Sequence, residues 1–198
     1  GKGCGLGEYT TGALKGCGSG VVLVLGTGVG GGIVIDGRVY KGAHSFAGEF
    51  SFIMERPGEK LGLGTIFGSS CGWSAGLKAD LLRRKNLPED TEMDGHQIFD
   101  LINSGDEDAC SALQTFCSHL ATQIHNLQAI LDPEIFAIGG GISNQPVLMK
   151  VLQESLDYIY EDKVLPQMPI PKVVRCQNGS QANILGAVYR CRQRMEEM

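Results

Sequence analysis

An α/β domain, with a mixed sheet flanked by helices, is what this sequence predicts, and three observations carry that reading. Residues 21–25 (VVLVL) are an uninterrupted β-branched and aliphatic run between glycines, the pattern of a strand buried on both faces. Asp36-Gly37 separates two short apolar runs and signals a tight hairpin, because both central positions of such a turn favour positive φ. Residues 134–138 (EIFAI) and 172–176 (KVVRC) each precede a helical pattern, giving two strand-helix units of the kind that pair in parallel. At 198 residues the chain is long enough to bury a full core, and one domain is the simplest partition.

Taken in order, residues 2–15 form a short glycine-containing helix, 21–25 the buried strand, and 33–35 and 38–40 the hairpin strands. Residues 41–70 are rich in Gly, Ser and Phe without a sustained period, which predicts an excursion over the sheet, and long loops of that kind often carry function. Helices follow at about 72–85, 95–103 and 106–131. The last shows apolar residues at Leu113, Phe116, Leu120, Ile124, Leu127 and Leu131, the spacing of one helix face. Asp132-Pro133 ends it, and the strand to Ile138 runs into Gly139-Gly140-Gly141 and a helix at 145–160. Three prolines at 166, 169 and 171 mark a loop before the strand 172–176 and a terminal helix 180–196.

With 42% apolar and 20% charged residues the composition is that of a folded globular chain. A net charge of −5, from 17 basic and 22 acidic side chains, disfavours nucleic acid as a partner. No apolar run of 18 residues offers a membrane span. Seven cysteines without a CxxC pair, and no signal peptide, predict reduced thiols in a cytoplasmic protein. The chain begins with Gly1 and enters a helix without a capping residue, so it is expected to be a fragment of something longer.

Glycine is the outlier, with 29 copies gathered in clusters. Gly26 to Gly32 (GTGVGGG) lies between two strands, which excludes the dinucleotide fingerprint, and it lacks the Gly-Lys-Ser/Thr of a P-loop. It fits a hairpin tip whose backbone N–H groups and Thr27 hydroxyl point at phosphoryl oxygens, and equally a glycine-rich turn without a ligand. Gly139-Gly140-Gly141 falls where a strand opens into a helix, a common place for ligands in α/β sheets; tight strand-to-helix packing is the alternative.

The segments Leu25-GTGVGGG-Ile33, Gly42 to Glu49 (GAHSFAGE), Ala137-IGGGISN and Gly179 to Ala187 (GSQANILGA) together resemble, in order, the motifs of the ROK family, which groups sugar kinases, repressors and related proteins. The resemblance covers the C-terminal lobe of that family. It implies a ribonuclease-H-like lobe of the actin and hexokinase type, with ATP, Mg²⁺ and a sugar as ligands and a homodimer as the assembly. It further implies that Gly26, Thr27 and Gly28 contact the β- and γ-phosphates, that Gly139, Gly140 and Gly141 line the adenosine site, and that Glu49 binds sugar hydroxyls. A carboxylate suits that last task because it accepts several hydrogen bonds. His44, in the same loop, is a further candidate for sugar contact.

By the same resemblance the catalytic base is an Asp immediately upstream of Gly1, and an N-terminal lobe carries the first phosphate motif. This chain alone is then expected to be inactive. Phe52 stands where many members carry a histidine, and the family's cysteine cluster is missing, so no structural zinc is expected. These features point to a zinc-less hexose or hexoside kinase, with a sugar-responsive transcriptional repressor as the rival reading. His119 and His125 lie six apart on one helix and cannot share a metal; they, Cys110, Cys117 and Trp73 are expected to serve packing.

Overall fold

In the computed structural model, which describes residues 1–162 and 164–196, helices cover both faces of one mixed sheet. The elements are α1 (Lys2–Thr11), β1 (Gly20–Leu25), β2 (Val29–Ile35), β3 (Arg38–Tyr40), α2 (Phe67–Ser70), α3 (Ala79–Arg84), α4 (Gly95–Ser104), α5 (Glu107–Leu131), β4 (Ile135–Gly139), α6 (Pro146–Tyr160), β5 (Val173–Arg175) and α7 (Ala182–Glu196). The five strands lie in the order β3-β2-β1-β4-β5. The hairpin strands pair antiparallel with one another, while β1, β4 and β5 run parallel. The sheet is thus mixed, as expected, and the Asp36-Gly37 turn has both residues at positive φ, 49° and 70°.

Alternation along the strands divides the core in two. Val21, Leu23, Phe136 and Ile138 face a large cluster built with Phe116, Leu120 and Ile124 of α5 and Leu148 and Leu152 of α6. Val22, Val34 and Ala137 face a smaller cluster with Cys4 of α1 and Ala182 of α7. Phe116 and Phe136 are almost completely buried, and each such side chain contributes about 2 kcal/mol. Helix ends follow local chemistry. Asp94 and Gln97 form a reciprocal capping box at the start of α4, and Asp106 accepts the Ala109 N–H at 3.0 Å at the start of α5. Asp132, at φ 43°, closes α5 before Pro133.

Two expectations shift. The first helix stops at Thr11, because the Glu8 carboxylate pulls the following turn inward and accepts the Ala13 N–H at 2.8 Å. Cys110 is exposed, since it sits on the first turn of α5, where Ala109 and Ala112 supply the buried face; Cys117 is buried as expected.

α1 lies flat between two glycine-lined surfaces. A Cβ on Gly32 would stand 3.0 Å from Gly5 Cα, and one on Gly186 would stand 2.0 Å from the Gly3 carbonyl oxygen. At these glycines one side of the helix rests on β2 and the other on α7, backbone against backbone.

Candidate functional site

The site grows from the ends of two parallel strands. Val24 of β1 pairs with Gly139 of β4, so both strands leave the sheet at the same end. β1 continues into Gly26-Thr27-Gly28 and β4 into Gly140-Gly141, and these segments are neighbours. Gly140 has φ 101°, and a Cβ there would lie 2.0 Å from the Leu25 carbonyl oxygen. Only glycine permits that contact. Gly141 has nothing within 4 Å of its Cβ direction and is exposed.

GTGVGGG, expected as one phosphate-holding segment, is divided by the structure. Gly26-Thr27-Gly28 is the hairpin tip, whereas Gly30, Gly31 and Gly32 lie inside β2. Gly31 makes room for the Phe50 ring, whose Cε2 would be 2.3 Å from an added Cβ, Gly32 receives Gly5 of α1, and Gly30 faces Gly1 at ordinary contact distance. Their work is packing, and the reason is the pleat, which turns successive residues to opposite faces.

At the tip, the Gly26 N–H donates to the Gly28 carbonyl at 2.9 Å, and the Gly26 carbonyl accepts the Trp73 N–H at 2.7 Å. Trp73 begins a π-helical turn, residues 73–78, that runs into α3. Among the described residues the N–H groups of Thr27 and Gly28 have no acceptor, which leaves them as the donors available to an anion.

Glu49 sits at the head of a short 3₁₀ turn, residues 50–52. Ser51 staples that turn to the hairpin: its Oγ accepts the Val29 N–H at 2.8 Å and donates to the Val29 carbonyl at 3.1 Å. Phe50 anchors it from below. Lys2 Nζ donates to Glu49 Oε1 at 2.7 Å, with the two side chains 25% and 41% exposed. The carboxylate is accordingly oriented and partly open, with acceptor capacity to spare. The start of α1 is close by, since a Cβ at Gly1 would be 2.6 Å from the Gly31 carbonyl oxygen. His44 lies exposed in the loop preceding Glu49.

Glu8 was not singled out from the sequence. It is fully buried, and besides Ala13 it accepts the N–H groups of Gln177 at 3.0 Å and Asn178 at 2.8 Å. It thereby fixes α1 to the segment between β5 and α7. A glutamate inside a glycine-rich helix, four residues before Gly12, was the only sign. His119 and His125 stay apart: His119 Nδ1 is 3.8 Å from Glu55 Oε1, and His125 Nδ1 hydrogen-bonds with the Tyr160 hydroxyl at 2.9 Å. Trp73 packs partly buried against the large core. Among the described residues no group of three His, Cys, Asp or Glu side chains could hold a metal ion, and no helix is long and apolar enough to cross a membrane.

A mixed sheet covered on both faces, with glycine turns meeting at one strand edge, defines a lobe of the actin and hexokinase-like, ribonuclease-H-like fold. The chain belongs to the ROK family, whose model matches residues 2–194. It is 29% identical over 179 residues to an N-acetyl-D-glucosamine kinase of Shigella boydii, a match covering 84% of this chain and 56% of that relative. A ROK family glucokinase from Streptomyces griseus, solved with glucose and AMPPNP, is 25% identical with a TM-score of 0.80, over 97% of this chain and 66% of that one. A ROK family transcriptional regulator, a homolog of the E. coli MLC protein, is also 25% identical, with a TM-score of 0.76 over 94% of this chain and 48% of that one. The chain thus spans about half the length of the curated relatives it matches.

Proposed function

We propose that this chain is the C-terminal lobe of an ATP-dependent hexose or hexoside kinase, which transfers the γ-phosphoryl group of ATP to a sugar hydroxyl. The observation that carries the reading is the convergence of the Gly26–Gly28 tip and the Gly139–Gly141 turn at one end of the central strands, with the Glu49 turn stapled to the same hairpin through Ser51. In this reading the N–H groups of Thr27 and Gly28, with the Thr27 hydroxyl, hold phosphoryl oxygens, while Gly26 shapes the turn. Gly139 and Gly140 seat the adenosine-side turn against Cys176 and Leu25, and Gly141 leaves that side free of side-chain bulk. Glu49 accepts sugar hydroxyls, and His44 approaches the same sugar. Phosphoryl transfer needs positioning and charge stabilisation more than covalent chemistry, and backbone donors on a rigid tip supply both. Mg²⁺ enters with the nucleotide phosphates.

The general base belongs to a residue immediately before Gly1, which the close packing of Gly1 on Gly31 would bring in beside the Glu49 turn. An N-terminal lobe before that residue completes the site, and the isolated chain is inactive. Such a lobe would find apolar surface to cover on α7, where Ile184, Val188 and Met195 are 66%, 60% and 69% exposed and lie at helical spacing on one face. The enzyme works in the cytoplasm, where ATP is available, as a homodimer and without structural zinc.

A panel of hexoses, N-acetylhexosamines and β-glucosides offered to the full-length protein with MgATP tests the proposal. Sugar-dependent ADP release supports it, and silence across the panel sinks it. The likeness to a transcriptional regulator supports a second reading, a sugar-sensing repressor lobe. A DNA-binding helix-turn-helix upstream of Gly1, with sugar binding and no ADP release, would select it.

A further inference from the structure

The loop that carries Glu49 also holds an aromatic pair kept in water. Two successive i+3 to i turns bracket the glutamate: the Glu49 N–H donates to the Phe46 carbonyl at 3.2 Å, and the Phe52 N–H donates to the Glu49 carbonyl at 3.2 Å. They bring the Phe46 and Phe52 rings to a centroid separation of 5.5 Å with a 37° tilt. Both rings are largely open, at 58% and 50% exposure.

A loose loop does not explain this exposure. Phe50 between them is 4% exposed, and Ser51 is bonded to both backbone groups of Val29. Before Glu49, the Ala47 N–H donates to the Lys41 carbonyl at 3.1 Å, so the chain is held on each side of the glutamate while two phenyl rings remain outside the core. Paired apolar surface carried on the two turns that flank an oriented carboxylate suits a pyranose, since its C–H face is apolar and its hydroxyls lie at the rim. One ring matches one pyranose face, and a second ring alongside adds contact for whatever is attached to that sugar.

We propose that Phe46 and Phe52 form the specificity platform of the sugar site, stacking on the apolar face of a pyranoside whose hydroxyls bind Glu49. The inference rests on the sugar-kinase reading and deepens it, favouring a glycoside with a flat apolar substituent over the free hexose.

Calorimetric titration of the full-length protein with glucose and with phenyl β-D-glucoside, independent of turnover, tests it. The wild type should bind the phenyl glucoside more tightly. Phe52→Ala and Phe46→Ala should each weaken that binding about three- to tenfold while ATP affinity holds. Tyr158→Ala, which removes an aromatic ring that is 80% exposed on α6, should change neither. Thermal melts confirm that the variants fold. Phe-dependent glucoside binding without ADP release would sustain the platform and reject the kinase. Unchanged glucoside binding in an active kinase would overturn the platform alone. Unchanged binding with loss of the dimer in light scattering would also overturn it and assign the rings to a subunit contact.

Discussion

Gly30-Gly31-Gly32 and Gly139-Gly140-Gly141 are both runs of three glycines next to a strand, yet the fold uses them differently. In the first run protein fills the missing Cβ of Gly31 with the Phe50 ring and that of Gly32 with the backbone of α1, and Gly30 faces Gly1. In the second, Gly139 meets the Cys176 side chain and Gly140 is closed in by the Leu25 carbonyl, while Gly141 opens on empty space. A glycine run marks close approach, and the structure says by what. Where protein fills the gap the run is packing, and where nothing does a ligand can enter.

Substitution by alanine separates these uses most strongly. Gly140→Ala combines φ 101° with a contact 2.0 Å from backbone, and Gly31→Ala would place a methyl 2.4 Å from the Val22 carbonyl. Each should lose about 4 kcal/mol in urea titration or fail to give soluble protein. If Gly31→Ala kept full stability, the packing role of the first run would be wrong.

The next effect concerns what clamps α1 onto that packing surface. Glu8→Gln replaces a buried acceptor of three backbone N–H groups by an amide that turns a donor toward them. A loss of about 2 kcal/mol is expected, with α1 and the start of α7 showing faster hydrogen exchange.

Gly141→Ala is the counterpart from the open run. Its methyl meets nothing within 4 Å, so stability should stay within about 0.5 kcal/mol of the wild type. Nucleotide affinity of the full-length protein should fall roughly tenfold, because the methyl occupies the space assigned to adenosine. A titration with AMPPNP reads this directly. An unchanged affinity would remove Gly141 from the site.

Most of the architecture was legible because its signals are local. β-branched runs, the Asp36-Gly37 turn, the heptad-like face of α5 and the Asp132-Pro133 stop each act within a few residues, and the elements they mark appear within a few positions of expectation, whereas α2 falls in the stretch expected as loop and residues 73–78 of the expected helix form a π-helical turn. What was hidden depends on contacts between distant segments. Nothing near Gly30 says that α1 will rest on it, and nothing near Glu8 says that Gln177 and Asn178 will bond it. The division of GTGVGGG is of the same kind, since the pleat and its neighbours decide it, not its composition. Glu49 was legible as a candidate, but its pairing with Lys2 and the ring pair around it were not, because both come from turns whose geometry the loop's composition leaves open.

Thiol chemistry offers the mildest probe of the same contrast. Cys110 and Cys191 are exposed, while Cys4, Cys17, Cys71, Cys117 and Cys176 are buried. Burial pushes the Cys117 thiol up to about 12 and the Cys71 thiol in the same direction. Against an ordinary thiol, Cys117 then has roughly a thousandfold less thiolate at neutral pH. A disulfide reagent at pH 8 should therefore label two sites rapidly in the folded protein. Cys176 is the informative exception. Its Sγ lies 3.0 Å from the position of a Gly139 Cβ, and the Cys4 hydrogen bond followed by burial holds its thiol protonated. It stands at the junction of the two regions, with α1 on one side and the β4 turn on the other. If nucleotide settles on that turn, the slow labelling of Cys176 should slow further while Cys110 and Cys191 are unaffected. Labelling of Cys176 that ignored nucleotide would detach the turn from the site, whatever the kinase assay reports.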